Sequence, residues 1–131
     1  MASVRKVIIA PEFASYPQDW HFSPGVDTGA FVFFSGITGV RPDKTVADVP
    51  SVQFRDAFRF AEMHLEAAGV GFEHIVDLTT YHVDLRRHLA DFVAVKDEFI
   101  KEPFPTWTAV GVSELITPGT LLELRIVAKR D

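Results

Sequence analysis

The chain has 131 residues, the size of one domain with a sizeable core, and a net charge of −5. It contains no cysteine, which excludes a disulfide framework, a thiolate metal site and a cysteine nucleophile, and which fits a reducing cytoplasmic setting. The acidic balance, with no basic stripe beyond Arg86-Arg87-His88, argues against a nucleic-acid partner, and no apolar run reaches a signal-peptide core or a membrane span.

Val4 to Ile9 predicts a short first strand. Residues 11–29 are rich in proline, glycine, serine and aromatics and read as an ordered loop. Phe31-Val32-Phe33-Phe34-Ser35 predicts a strongly apolar strand ended by Gly36 and Gly39, with turn material at Arg41-Pro42-Asp43-Lys44. Phe54, Phe58, Ala61, Leu65 and Ala68 recur at helical spacing and predict a helix from about Val49 to Ala68. Pro50 suits its first turn and Gly69 its C′ position. Ile75 to Val83 is rich in β-branched residues and predicts a strand. Leu89, Phe92, Val95 and Phe99 mark one face of a second helix, from about Leu89 to Lys101, stopped by Pro103 and Pro105. Two last apolar runs flank Ile116-Thr117-Pro118-Gly119 and predict a closing β-hairpin.

The order is ββ-α-β-α-ββ, an α+β pattern without linker or repeat, taken as one domain over residues 1–131. Two helices cover one face of such a sheet. The apolar strands, in a chain with twelve phenylalanines, place the second face against other subunits.

Glu123 stands in the middle of the last run, where an ionised carboxylate costs several kcal/mol to bury unless it is paired. Alternation puts it on one strand face with Leu121, Arg125 and Val127, ~6.5 Å from Arg125 along the strand. It is either half of a structural ion pair at a subunit interface or a general acid/base facing a pocket. Trp107 shares a face with the small residues Ala109 and Gly111, and the hairpin register sets Glu123 opposite Ala109 or Gly111. Trp107 either packs in the core or an interface, or forms a cleft wall that stacks on a planar or apolar ligand.

Ser35 lacks a G-x-S-x-G elbow and a His–Asp relay, so it is not read as a nucleophile; its hydroxyl or nearby backbone is expected to donate hydrogen bonds in a cleft. His82 and Asp84 form an H-x-D pair without a third ligand at a telling spacing, so no metal is expected. His64 and His88 are expected at the surface or an interface. Gly36 to Gly39 is not a phosphate loop, since no Gly-Lys-Ser/Thr follows.

Several stretches resemble one family across nearly the whole chain. They are Phe34-Ser35-Gly36, Leu65-Glu66-Ala67-Ala68-Gly69 followed by Ile75-Val76-Asp77-Leu78-Thr79-Thr80, Phe104-Pro105-Thr106-Trp107, and Leu122-Glu123-Leu124-Arg125-Ile126-Val127-Ala128. Together they resemble the RidA family, also called YjgF or L-PSP endoribonuclease-like proteins. The resemblance implies a chorismate-mutase-like subunit: a mixed six-stranded sheet with two helices on one face. It implies a homotrimer with intersubunit clefts, hydrolysis of reactive enamines and imines of small metabolites, and no cofactor.

The resemblance also assigns residues. Glu123 takes the place of the family's closing-strand carboxylate beside the pocket, and Ser35 and Gly36 are retained. Phe22 stands where members usually have Tyr. Trp107 stands where active deaminases have the Arg that binds the substrate carboxylate, a contact an uncharged indole cannot reproduce. Arg125, or Arg41 from a loop, is a candidate for the lost cationic contact. Three readings follow: a deaminase for a larger or aromatic imine, a non-catalytic metabolite- or protein-binding member, and a ribonuclease, against which the acidic balance argues.

Overall fold

The computed structural model of the protein describes residues 4–131. The chain runs from β1 (Lys6–Ile8) through a short helix α1 (Tyr16–Trp20) to β2 (Gly25–Asp27) and β3 (Phe31–Phe34). Then come β4 (Ile37–Thr38), helix α2 (Pro50–Ala67), β5 (Ile75–Val83), helix α3 (Leu85–Phe99), β6 (Thr106–Val112) and β7 (Leu122–Lys129). The strands form one mixed sheet in the order β1-β2-β3-β7-β5-β6. β4 also pairs with β7, continuing the position of β3, so the sheet has six strand positions. β5 and β6 are parallel and joined by α3; the other pairs are antiparallel.

Alternation sorts the sheet into two unlike faces. Val32, Phe34, Leu78, Leu122, Leu124, Ile126 and Ala128 point to the helices and are fully buried. From α2 and α3, Phe54, Phe58, Ala61, Leu65, Phe92 and Val95 meet them. Phe58 stacks almost parallel on Phe99 at 5.0 Å, and Phe54 meets Phe92 edge-on at 5.8 Å. Burying each such ring contributes about 1.5–3 kcal/mol. The other face is open and carries exposed Val7, Phe31, Phe33 and Val110. No helix among the described residues is long and apolar enough to cross a membrane.

Four expectations are corrected. The segment 11–29 is not all loop: it contains α1 and the three-residue β2, too short to show a periodic pattern. The second helix starts at Leu85 rather than Leu89, because Asp84 adopts a left-handed conformation (φ 56°) that turns the chain directly out of β5 into the helix. His64 is not a surface residue: it is 6% exposed, its ring lies 4.4 Å from that of Phe13, and burial lowers its pKa to about 4.

The fourth correction concerns the closing hairpin. β6 and β7 are not neighbours, because β5 lies between them: Thr80 faces Ala109 on one side and Leu124 on the other. The Pro118-Gly119 turn exists, with Thr120 N–H bonded to Thr117 O at 3.2 Å, but it bends a segment that crosses the end of β5. Val83 N–H donates to Leu121 O there at 3.0 Å. Buried Gln53 of α2 fixes the crossing, donating to Gly119 O at 3.0 Å and accepting from Leu121 N–H at 2.6 Å.

Candidate functional site

Between Phe33↔Val127 and Ile37↔Leu124, four residue steps on one strand oppose three on β7. The extra residue is a β-bulge at Ser35-Gly36, which interrupts the ladder beside Glu123. A Cβ at Gly36 would stand 2.5 Å from Cδ of Glu123, so any larger residue there must push the Glu123 carboxyl aside. Ser35 is pinned on the other flank: its N–H donates to Pro24 O at 3.0 Å and its Oγ–H to Ser23 O at 2.7 Å. The hydroxyl proton is thus committed, leaving Oγ as an acceptor rather than the expected donor.

Over this break opens a cleft of about 260 Å³. Phe22, Ser35, Gly36 and Glu123 line it as a group. Tyr16, Trp20, Thr38, Val40, Ile116 and Thr117 complete it. α1 is held over the cleft by an aromatic chain: Phe22 packs edge-on against Tyr16 at 6.0 Å, Tyr16 against Phe13 at 5.1 Å, and Phe13 against Phe60 at 5.8 Å. Tyr16 was not legible as a site residue, since a single aromatic in an irregular segment has no periodicity to mark it. It supplies a phenol in a cleft where Phe22 has none, and burial raises its pKa.

Glu123 is half-buried and has neither an ion pair nor a hydrogen bond among the described residues. Burial raises its pKa, and no donor offsets this. Within the chain Glu123 makes no ion pair with Arg125, although both lie on the open sheet face. Arg125 is exposed and outside the cleft lining. Arg41 is committed elsewhere: its Nε and Nη2 donate to Asp56 Oδ2 at 3.1 and 2.9 Å. A larger hollow of about 460 Å³ under residues 113–121 meets the cleft at Ile116 and Thr117, but its one titratable group is Glu114.

Trp107 and Ala109 are on the opposite face of the sheet from Glu123. Trp107 pairs in register with buried Leu78, and Ala109 with buried Thr80. The Trp107 Nε1–H donates to Thr80 Oγ1 at 2.9 Å, and Lys96 Nζ lies 4.5 Å from its ring centroid. His82 is also in this layer, with Nε2 2.7 Å from Thr80 Oγ1, while Asp84 lies beyond the strand end. His88 is half-buried, edge-on to Phe54 at 6.5 Å.

The chain matches, over residues 15–130, a family model described as Endoribonuclease L-PSP. It is 37% identical over 109 residues to the RutC family protein YjgH of Escherichia coli K12, covering 82% of both chains. A solved structure of a protein named YJGH superposes with a TM-score of 0.89 at 32% identity, covering 97% of each chain. A 2-iminobutanoate/2-iminopropanoate deaminase of Dermatophagoides farinae is 31% identical over 99 residues, covering 72% of this chain and 74% of its own.

Proposed function

The chain belongs to the endoribonuclease L-PSP (RidA/YjgF) family, and from that premise we propose that it is a hydrolytic deaminase of small imino metabolites, with Glu123 as its general acid/base. One observation carries this reading. Glu123 is the single titratable carboxyl of an aromatic-walled cleft, unpaired, and raised in pKa by burial. A carboxyl so tuned takes a proton in one step and returns it in the next.

The reaction follows from that placement. Water adds to the C=N carbon of the protonated imine as Glu123 takes the water's proton, which gives a neutral carbinolamine. Glu123 returns that proton to the nitrogen, the C–N bond breaks as ammonia leaves, and the hydroxyl gives up its proton to solvent as the carbonyl forms. Protonated imine and water become a carbonyl compound, ammonia and a proton. The name of the mite relative, a 2-iminobutanoate/2-iminopropanoate deaminase, supports this reaction class. Trp20, Phe22, Val40 and Ile116 favour a ligand with an apolar or aromatic body.

Assembly as a homotrimer is part of the proposal. The exposed Val7, Phe31, Phe33 and Val110 of the open sheet face favour burial against further copies. Within one chain Trp107 and Ala109 lie on the opposite face of the sheet from Glu123, so any part they take in a Glu123 cleft belongs to the assembly proposal.

A second reading, a non-catalytic metabolite-binding member, is favoured by the lack of any Lys or Arg in the cleft lining. That lack, with the net charge of −5, also speaks against a ribonuclease. The deciding experiment assays the purified protein against 2-imino acids generated in situ, small and aromatic, beside Glu123→Gln. Ammonia release that disappears in Glu123→Gln is the expected result. No release from any imine, with ligand binding intact, leaves the binding reading.

A further inference from the structure

Beside the Glu123 cleft lies a second, smaller chamber of about 50 Å³. Tyr16, Gly36, Thr38 and Val40 line both spaces, while His64 and Phe13 belong to the chamber alone. His64 is 6% exposed, and its ring makes no hydrogen bond or ion pair among the described residues. Its ring nitrogens are nevertheless not sealed in, so each still meets solvent-sized space. Phe13 packs on the ring at 4.4 Å with a 30° tilt, which covers its face and leaves the polar edge to the chamber. Burial, opposed by the smaller effect of the Glu12 charge, lowers the pKa to about 4, so the ring is uncharged at neutral pH. A neutral imidazole offers one N–H donor and one nitrogen acceptor. Left unmet, each costs about 1–3 kcal/mol.

Thr38 connects the chamber to the carboxyl. It pairs in register with Glu123 across β4 and β7, so the two side chains leave the same side of the sheet about 4.5–5.5 Å apart. Its Oγ1 accepts from Val40 N–H at 3.3 Å, and its own hydroxyl proton goes to no group among the described residues. Gly36, on the shared wall, has no side chain to plug it, and the Glu123 carboxyl rests against it. A buried water needs room for itself and two to four polar partners; the chamber has room for a few waters, with His64 and Thr38 to bond them. Trp20 and Ile116 are exposed at the rim of the cleft, so a ligand body lying against them shields Glu123 from bulk water.

We propose that the chamber is a water site held by His64, and that its water passes along Thr38 and Gly36 to Glu123 once a ligand has covered the cleft. His64 is thereby a positioning residue, which touches water and not substrate. The supply of water to Glu123 rests on the imine-hydrolysis reading; the water site itself does not.

The test observes water by NMR in the wild-type protein carrying isotope-labelled histidine, with His64 assigned by its absence in His64→Phe. Cross-relaxation from water to the His64 ring and to the Ile37 and Val40 methyl groups is expected, with the acceptor nitrogen of the ring shifted as hydrogen-bonded. A dry chamber, or a free acceptor nitrogen, overturns the proposal without any variant. Added 2-oxobutanoate probes the other occupant: its methyl group against Ile37, as the water signal disappears, makes the chamber an alkyl subsite and overturns the proposal as well. In the assay on imines, His64→Phe keeps the contact with Phe13 and loses both nitrogens. Its kcat should fall about tenfold with KM changed less than about twofold, while His64→Gln, which can hold water, keeps most of kcat. Wild-type kcat in folded His64→Phe, or equal losses in both variants, removes the supply role. The two readings fail separately. Water in the chamber of a protein inactive on every imine removes the deaminase and leaves the site. Hydrolysis by a protein whose chamber is dry removes the site and leaves the deaminase.

Discussion

Glu123 rests directly on the backbone of Gly36: a Cβ at position 36 would lie 2.5 Å from its Cδ and 2.7 Å from its Oε2. Gly36→Ala therefore displaces the carboxyl rather than the strand, since the flexible end of Glu123 yields before the backbone. The expected outcome is a fall in turnover of about 100-fold, the scale of an ångström misplacement of a catalytic group. Thermal melting should show the fold retained.

The raised pKa of Glu123 has a thermodynamic signature. The folded state holds the proton to higher pH than the unfolded chain does, so folding stability falls as pH rises from the ordinary carboxylate range through the raised value. Glu123→Gln should be more stable than wild type at neutral pH, and the difference should shrink towards acid pH. Denaturant melts across pH measure it; a difference independent of pH counts against an unpaired, buried carboxyl.

His64 runs the other way. Its folded pKa is about 4 against 6.5 for the free side chain, so the unfolded chain protonates first as the medium acidifies. Its contribution is present above pH 6.5 and lost as pH falls towards 4, on the order of 2–3 kcal/mol for a shift of this size. His82, also lowered to about 4, acts alike. His64→Leu, which keeps an apolar contact for Phe13, should remove about half of this acid sensitivity, as read from unfolding curves over that window.

Gln53 links helix α2 to the segment that carries Ile116 and Thr117 into the cleft. Gln53→Leu leaves the Leu121 N–H and Gly119 O without their partner and should cost about 2–4 kcal/mol. KM should rise more than kcat falls, because the cleft wall loosens while Glu123 stays on β7. Chemical denaturation and steady-state kinetics report the two effects.

The long elements were legible. The Phe54-Phe58-Ala61-Leu65 spacing placed α2 to within a residue at each end, and the β-branched run placed β5 as it stands. Of the cleft, Glu123, Ser35, Gly36 and Phe22 were found and do line one cavity. Tyr16, Trp20 and Ile116 were missed because each sits in an irregular segment whose path depends on contacts far along the chain. The neutral, buried His64 was missed for a related reason: on a helix wheel it looks like any polar residue until Phe13 folds over it.

What the sequence determined by itself was local periodicity and the family to which it points, since hydrophobic spacing, proline and glycine stops and short motifs act over a few residues. Only the tertiary structure decided which strand edges meet. Any strand offers the same backbone donors and acceptors, so two apolar runs around a Pro-Gly turn read as a hairpin even though β5 inserts between them. That insertion puts Glu123 and Trp107 on opposite faces of the sheet. A chain folded alone separates the carboxyl from the indole that seemed to stand beside it.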